Sequence, residues 1–246
     1  PIQLRWIVHE GVKMSAMPGW PVSREEEPWS VVAFLMAVQD GMTPEEYQDM
    51  TRLRRAEPRA FALCTSCHGS SGVSDNPYIP RLDILSEQYV AASLRSYRDG
   101  SRQSGIMQHA ATEVPEEVLS RAAGHYGRIS PPKDAQGSDM GDEAHAGREI
   151  AFAAPGGNNE IPACRACHGP WDEDLDTLFP SIAGQNEPYI ATQLRLWREQ
   201  LRGGGVAAQL MHQASRNLTD ADIDALAAYY AALPPAKLNA VTDPDR

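Results

Sequence analysis

Apolar residues recur at helical spacing in two stretches that lie 100 residues apart in the chain, Glu87 to Asp99 and Glu187 to Leu201. Spacings of three and four residues between apolar positions are typical of an amphipathic helix. The pattern therefore predicts one helix in each stretch. The apolar positions are Tyr89, Val90, Leu94 and Tyr97 in the first stretch and Tyr189, Ile190, Leu194 and Trp197 in the second.

Two further helices are predicted downstream of these stretches. Thr219 precedes an acidic first turn, as an N-cap residue does, and an apolar pattern then runs to Tyr230 before Pro234 ends it. The stretch from Pro115 to Tyr126 is the matching helix of the first copy. No convincing alternation of apolar and polar residues is present, so we predict an all-α fold.

The helices belong to a repeat that divides the chain into domains. The copies match at an offset of 100 residues, and after a Gly-rich insertion in the second copy Met211 matches Met107 at an offset of 104. A repeat of this length predicts tandem homologous domains. We expect them at 51–130 and 144–236, joined by a Pro-, Gly- and Ser-rich linker at 131–143, with a separate segment at 1–50 and a tail at 237–246.

Composition narrows the possible partners. The chain of 246 residues is 42% hydrophobic and 22% charged, and none of its apolar runs approaches the roughly 20 residues of a membrane span. Its formal charge of −11 disfavours binding to nucleic acid or to anionic lipid. Such a charge would instead steer the protein toward basic docking surfaces.

Each repeat begins with a C-x-x-C-H motif, at Cys64-Thr65-Ser66-Cys67-His68 and at Cys164-Arg165-Ala166-Cys167-His168. This is the spacing of a c-type haem attachment site, in which two cysteines bond the porphyrin and the histidine binds iron. A single C-x-x-C could belong to a redox dithiol or to half a zinc site. The two copies, which use all four cysteines of the chain, favour two covalent haems.

The repeat also predicts the second axial ligand of each iron. Met107 lies in a loop rich in Gly and Ser, Met211 follows a Gly-rich loop, and each precedes the last helix of its copy. We expect each to bind iron on the distal side, although a methionine can also fill space in a core. His109 and His212 are competing candidates, but they do not occupy corresponding positions in the two copies.

Pro80 and Pro180 occupy equivalent positions in the two copies. An iron-binding histidine needs an acceptor for the proton on Nδ1 in order to orient its ring. We expect the backbone carbonyls of these prolines to accept from His68 and His168. The alternative is that they are ordinary turn prolines.

These residues resemble the two-domain, di-haem class I cytochromes c of the cytochrome c4 type. The resemblance covers Arg52 to Leu233 and is specific in the second domain, with CRACHG, SIAGQNEPYIATQL and LAAYYAAL. The first domain has CTSCHG but departs from the family at Asp83-Ile84-Leu85, where Ala-Gly-Gln is usual. The resemblance implies tandem helical haem domains with His/Met ligation, arranged about a two-fold axis.

The resemblance also implies a function. We expect an exported, periplasmic carrier that relays single electrons, as a module or subunit of a respiratory or dehydrogenase complex. Its redox partner would be a membrane oxidase, a reductase or a dehydrogenase, and the chain itself would not be an enzyme. The rival interpretation is a di-haem cytochrome c peroxidase, which needs an open or displaceable distal site at one iron.

The first fifty residues resemble the distal half of a further class I haem domain. Met17, followed by Pro18, matches the distal ligand of such a domain, yet no C-x-x-C-H motif precedes it. One explanation is that the chain is part of a longer tri-haem protein in which the other half of this domain, or a leader, precedes Pro1. The other is that the segment completes a haem domain on a different chain. We expect a third haem beside Met17, and the alternative is a cap without haem.

Overall fold

The structure is a computed structural model that describes eight ranges of the chain, which are given at the end of this paragraph. Within the described residues every regular element is a helix, which confirms the predicted all-α fold. The described residues are 1–15, 17, 19–20, 26–51, 62–153, 161–169, 179–204 and 207–237.

The helices are numbered in chain order. In the N-terminal segment and the first domain they are α1 (Ile2–Glu10), α2 (Glu26–Gln39), α3 (Pro44–Thr51), α4 (Ala62–His68), α5 (Glu87–Arg98), α6 (Gly105–Glu113) and α7 (Glu116–Arg128). In the second domain they are α8 (Asp142–Ala151), α9 (Arg165–His168), α10 (Glu187–Arg198), α11 (Ala208–Ser215) and α12 (Asp220–Ala232).

All four helices predicted from the apolar pattern are present, as α5, α7, α10 and α12. The capping box expected at Thr219 forms, because its hydroxyl accepts from the Asp222 amide while the Asp222 carboxylate accepts from the Thr219 amide. Helix α10 ends at Arg198, three residues before the expected end at Leu201. The chain turns there with Gln200 at a φ of 58°, a left-handed conformation that no helix continues.

The second domain has the larger core. Helix α12 packs on α8 and α10, and its buried face joins Ile190 to Ile223, Leu226 and Tyr230. Gly147 lies where α8 crosses α12, and a side chain there would collide with the carbonyl oxygen of Ala225. The crossing therefore requires glycine, because only a residue without Cβ lets the two backbones approach this closely.

The first domain repeats this plan around α5 and α7. These helices enclose a smaller cluster of Ile84, Leu85, Val90 and Ala123. Residues 129–141 connect the domains without a helix, and α8 begins at Asp142, inside the predicted linker of 131–143. The predicted boundary at residue 51 adjoins 52–61, which lie outside the described part, as do residues 238–246 of the predicted tail.

The N-terminal segment forms a helical hairpin. Helix α1 packs against α2, and Val8 of α1 and Val32 of α2 are almost fully buried. The connecting loop returns to α1, since the Trp20 amide donates to the carbonyls of Val8 and His9. Several large apolar side chains of this segment are exposed: Ile2, Trp6, Val12, Met14, Met17 and Trp29.

Side chains of the second domain bind the backbone of the first. The amide of Gln185 pairs with both backbone groups of Arg81, accepting at 2.9 Å and donating at 3.0 Å. Asn186 donates to the carbonyl of Ile79 at 2.8 Å. These contacts hold the loops that contain Pro80 and Pro180 next to each other, so the equivalent parts of the two domains meet.

Candidate haem centres

The two C-x-x-C-H motifs lie on short helices at corresponding places in the domains. His68 ends α4 and His168 ends α9, and in both the next residue is a glycine with a φ of 69°. This left-handed glycine ends the helix and turns the chain away directly after the histidine. The cysteines are free and therefore available to bond a porphyrin: Cys64, Cys67, Cys164 and Cys167.

The thiol environment disfavours the redox-dithiol interpretation. Burial raises the pKa of the Cys64 thiol, and it raises the pKa of Cys164 to about 11. Redox-active C-x-x-C pairs instead have a thiol of lowered pKa, because the thiolate is the nucleophile. In the described part of the chain, no group of three or more His, Cys, Asp or Glu side chains could hold a metal ion, so the zinc alternative finds no donor set there.

Both histidines are oriented by the prolines named above. Nδ1 of His68 lies 3.2 Å from the carbonyl oxygen of Pro80, and Nδ1 of His168 lies 2.9 Å from that of Pro180. Because a carbonyl can only accept, each Nδ1 must carry the proton, which leaves Nε2 with a free lone pair. Burial lowers the pKa of both imidazoles, more than the proline carbonyls raise it, and so favours the neutral form that binds iron.

The two methionines lie in helices rather than in loops. Met107 is in the first turn of α6, where its amide donates to the hydroxyl of the N-cap residue Ser104, and Met211 is in α11. The expected loop position of Met107 was wrong, because Ser104 caps a helix whose first residue, Gly105, is a poor helix former. In the second domain the Met211 sulfur lies 3.5 Å from Nε2 of His168. The two proposed ligand atoms of that iron therefore face each other.

The competing histidines are engaged elsewhere. The side chain of His109 is 72% exposed and lies 3.9 Å from Glu113. His212 faces the carbonyl oxygen of Arg202 at 2.8 Å, and its ring packs edge-on against Trp197. Each competing histidine thus has another partner for one ring nitrogen, whereas the Met211 sulfur faces Nε2 of His168, so the methionines stay the better candidates.

One cavity contains both sites. It has a volume of about 1490 Å³ and is lined by both motifs, both prolines and both methionines. Pockets for a single ligand usually measure about 300–1,000 Å³. The cavity therefore has room for two large groups, and it runs continuously from one domain to the other.

Two arginines that line this cavity have no carboxylate partner among the described residues and could pair with the propionates of haem. Arg102 is 6% exposed, and in the described part of the chain no carboxylate lies within ion-pair distance of Arg102 or Arg202. The Nε of Arg202 and the hydroxyl of Tyr230 are buried without a hydrogen-bond partner among the described residues, and both residues line the cavity. A buried charge needs a counter-charge, and the propionates of haem would supply one to each arginine.

These features define a c-type cytochrome with two haem sites that share one cavity. No model of a known protein family matches the chain. It is 34% identical over 181 residues to a thiosulfate dehydrogenase electron acceptor from Thiomonas intermedia, covering 73% of this chain and 82% of the relative.

Two solved structures share the fold. The cytochrome c4 of Acidithiobacillus ferrooxidans is 32% identical, with a TM-score of 0.59 over 69% of this chain and 98% of that one. A thiosulfate dehydrogenase of Marichromatium purpuratum is 31% identical, with a TM-score of 0.61 over 70% of this chain and 36% of that one. The chain belongs to the cytochrome c4 family of di-haem class I cytochromes c.

Membership in this family defines the chain's cofactors and activity. It carries two covalent haem c groups, one on each motif, and it is an electron-transfer protein. Within the described residues, no helix has both the length and the apolarity needed to cross a membrane.

Sequence reasoning missed three groups that contact the sites. Arg102 and Arg202 stand at the repeat offset of 100 residues, and this correspondence is the sequence signal that could have revealed them. Glu27 has no counterpart in the repeat and gave no sequence signal. The structure places Glu27 in the wall of the cavity, although it belongs to the N-terminal segment.

Proposed function

We propose that the chain is the electron acceptor of a sulfur-oxidising dehydrogenase and passes single electrons through haems bound by His68 and Met107 and by His168 and Met211. Two observations support these ligands. Each histidine presents a deprotonated Nε2 to the cavity, and Met211 faces that nitrogen in the second domain. When bound, each haem supplies a one-electron carrier, and a thioether ligand favours a high potential.

The main support for electron transfer between the two haems is the cavity that both haem sites share. Both haem sites open into it, and the interdomain contacts at Arg81 and Ile79 hold the two proximal loops together. An electron that enters at one haem can therefore reach the other inside a single molecule. The chain's own residues orient the ligands, exclude water and fix the separation of the domains.

The relatives support the choice of partner. A protein that is 34% identical is named a thiosulfate dehydrogenase electron acceptor, and a dehydrogenase chain contains a region of the same fold. We infer a partner of this class for the present chain. We also infer that it acts in the periplasm, where thiols of apocytochromes c receive their haem, and that its charge of −11 steers it to a basic surface of that partner.

The N-terminal segment belongs to the proposal as the distal half of a further haem domain. Its helical hairpin exposes Ile2, Trp6 and Met14, and the side chain of Met17 is 40% exposed. An apolar face of this kind is what the proximal half of a haem domain would cover. Pro18, which would hold Met17 in place, lies outside the described residues.

The proposal is tested by mixing the oxidised protein with the thiosulfate dehydrogenase of Thiomonas intermedia and thiosulfate. Rapid absorption spectroscopy should show both haems reduced in each chain, with no reduction when thiosulfate is omitted. The same protein should not turn over hydrogen peroxide with a reduced donor, because methionine fills both distal positions. Peroxide turnover together with slow reduction by the dehydrogenase would favour the peroxidase alternative.

A further inference from the structure

Glu27 is a carboxylate buried between the N-terminal segment and the first haem domain. The residue is 4% exposed, which is rare for a glutamate unless its charge is compensated. Its Oε1 accepts from the hydroxyl of Ser104 at 2.7 Å. Its Oε2 accepts from the indole of Trp20 at 2.9 Å and from the backbone amide of Gly105 at 3.1 Å. Both carboxylate oxygens of Glu27 therefore accept hydrogen bonds.

Two of these donors form the start of helix α6. Ser104 is its N-cap and Gly105 its first residue, and the third residue is Met107. Ser104 also accepts from the Met107 amide at 3.3 Å, so its hydroxyl links the carboxylate to the backbone of the proposed iron ligand. A negative charge at this end of the helix stabilises it further through the helix dipole.

The site is tightly packed. A Cβ built on Gly105 would lie 3.0 Å from the Trp20 indole and 3.2 Å from Oε2 of Glu27. Trp20, Glu27 and Met107 also line the same cavity. The first turn of α6 is therefore clamped between the N-terminal segment and the haem cavity, and it cannot shift without breaking these contacts.

The second domain has no such clamp among the described residues. Helix α11, which carries Met211, begins after Ala207 without a side-chain hydrogen bond at its cap. The two copies of the repeat therefore hold their methionines by different means.

We propose that Glu27 is the positioning residue for Met107, and that through it the N-terminal segment makes the first haem chemically different from the second. The proposal rests on the ligation of Met107 in the proposed function. Its first consequence is mechanical, because the clamp opposes loss of Met107 from the iron. The second is electrostatic, because a carboxylate beside the first haem stabilises the oxidised iron and lowers the potential of that haem alone.

The test compares Glu27→Gln and Glu27→Ala with the exposed control Glu45→Gln in the full haem-loaded chain. Carbon monoxide binding to the reduced protein reports loss of the distal methionine. Redox titration gives the two potentials, and Met211→His, which perturbs the second haem, assigns them. We expect both Glu27 variants to bind carbon monoxide at the first haem about tenfold faster, which equals about 1.4 kcal/mol.

The potentials separate positioning from a general structural role. Glu27→Gln keeps the volume of the side chain and removes its charge, so the first potential should rise while the second stays in place. Glu45→Gln should change neither quantity. The second haem serves as an internal measure of folding, because a variant that fails to fold would perturb both haems.

Two results would overturn the proposal. If the wild-type protein shows proton resonances of iron-bound methionine from both haems, and the Glu27 variants leave the first potential and the carbon monoxide rate unchanged, Glu27 does not position Met107. If the wild-type protein shows such resonances from the second haem only, the ligand assignment of the proposed function fails first, and the role of Glu27 fails with it.

Discussion

The guanidinium of Arg102 in the first domain donates to the phenol oxygen of Tyr189 in the second domain at 3.0 Å. The reciprocal contact is also present, since Arg202 donates to Tyr89 at 3.1 Å. Each guanidinium further lies over an aromatic ring of its own domain, Arg102 over Tyr97 at 4.5 Å and Arg202 over Trp197 at 4.4 Å. The two domains are therefore joined by a crossed pair of arginines placed at the cavity that holds the haems.

We predict that Arg102→Gln lowers the free energy of unfolding by about 1–3 kcal/mol, because Tyr189, Ser93 and a propionate would all lose their charged donor. Urea unfolding followed by circular dichroism and haem absorption measures the change. The exposed control Arg121→Gln should stay within about 0.5 kcal/mol of the wild type. Equal effects of the two substitutions would rule out a special role for Arg102.

The titration of Tyr89 tests whether propionates pair with the arginines. Burial of Tyr89 acts to raise its pKa, but the charges of Arg102 and Arg202, with hydrogen bonds from Ser93 and Arg202, lower the pKa to about 8. In the unfolded chain the pKa of a tyrosine is about 10. Because the pKa of folded Tyr89 is lower, the free energy of unfolding would rise as the pH increases from about 8 to about 10. Propionates would share the charge of the arginines and remove this rise.

We therefore expect Tyr89 of the haem-loaded protein not to ionise near pH 8, the pKa that its protein surroundings would give it without the propionates. Ultraviolet difference spectra between pH values on either side measure tyrosinate directly, and Tyr89→Phe is the control. A transition in this range that Tyr89→Phe abolishes would mean that no propionate reaches the arginines.

Met211→Ala should open the second iron to carbon monoxide while the first stays closed, because the Met211 sulfur is the group that faces Nε2 of His168 at 3.5 Å. The oxidised variant should also lose about half of the near-infrared band that sulfur ligation produces. Met107→Ala should do the same at the first iron. A wild-type spectrum in either variant would return His212 or His109 to consideration.

Reduction by the partner dehydrogenase should slow as salt increases. The charge of −11 attracts a basic surface, and the Debye length is about 10 Å at 0.1 M ionic strength. Stopped-flow rates measured between about 0.02 and 0.5 M salt should fall steadily, whereas a small neutral reductant should show no such trend. A rate independent of salt would indicate apolar docking or a permanent complex.

The third haem is predicted from Met17. If the N-terminal segment completes a haem domain, the protein isolated from its source should contain three covalent haems, one more than the two C-x-x-C-H motifs of this chain can attach. Intact mass, iron content and the absorption of the pyridine complex give the number, and Met17→Ala should change the ligation of one haem only. Two haems in the source protein would leave the segment as a cap on the first domain.

The sequence predicted the elements that depend on local pattern and on repetition. Helices α5 and α10 followed from apolar spacing, and the capping box at Thr219 followed from residue type. The contacts of Glu27 with Ser104 and Gly105 could not be predicted, because they join residues 77 and 78 positions apart and involve no repeated motif. Long-range pairing of a single charged residue leaves no periodic signal along the chain.

The helical position of Met107 shows the same limit on a smaller scale. Gly105 in the first turn of α6 lowers helix propensity and made the segment resemble a loop. The helix forms nevertheless, because Ser104 caps it and Glu27 accepts from its first amide. Tertiary contacts outweigh local propensity here, and only the folded structure contains them.

The continuous cavity has a consequence for how the protein matures. Before haem is attached, Arg102 and Arg202 bring two positive charges to the same seam, and no carboxylate of the described residues pairs with either. The carboxylates of a bound haem would neutralise this charge, so we expect each attached haem to stabilise the contact between the domains. A chain with haem on one motif only should therefore hold its two domains together more weakly than a fully loaded one.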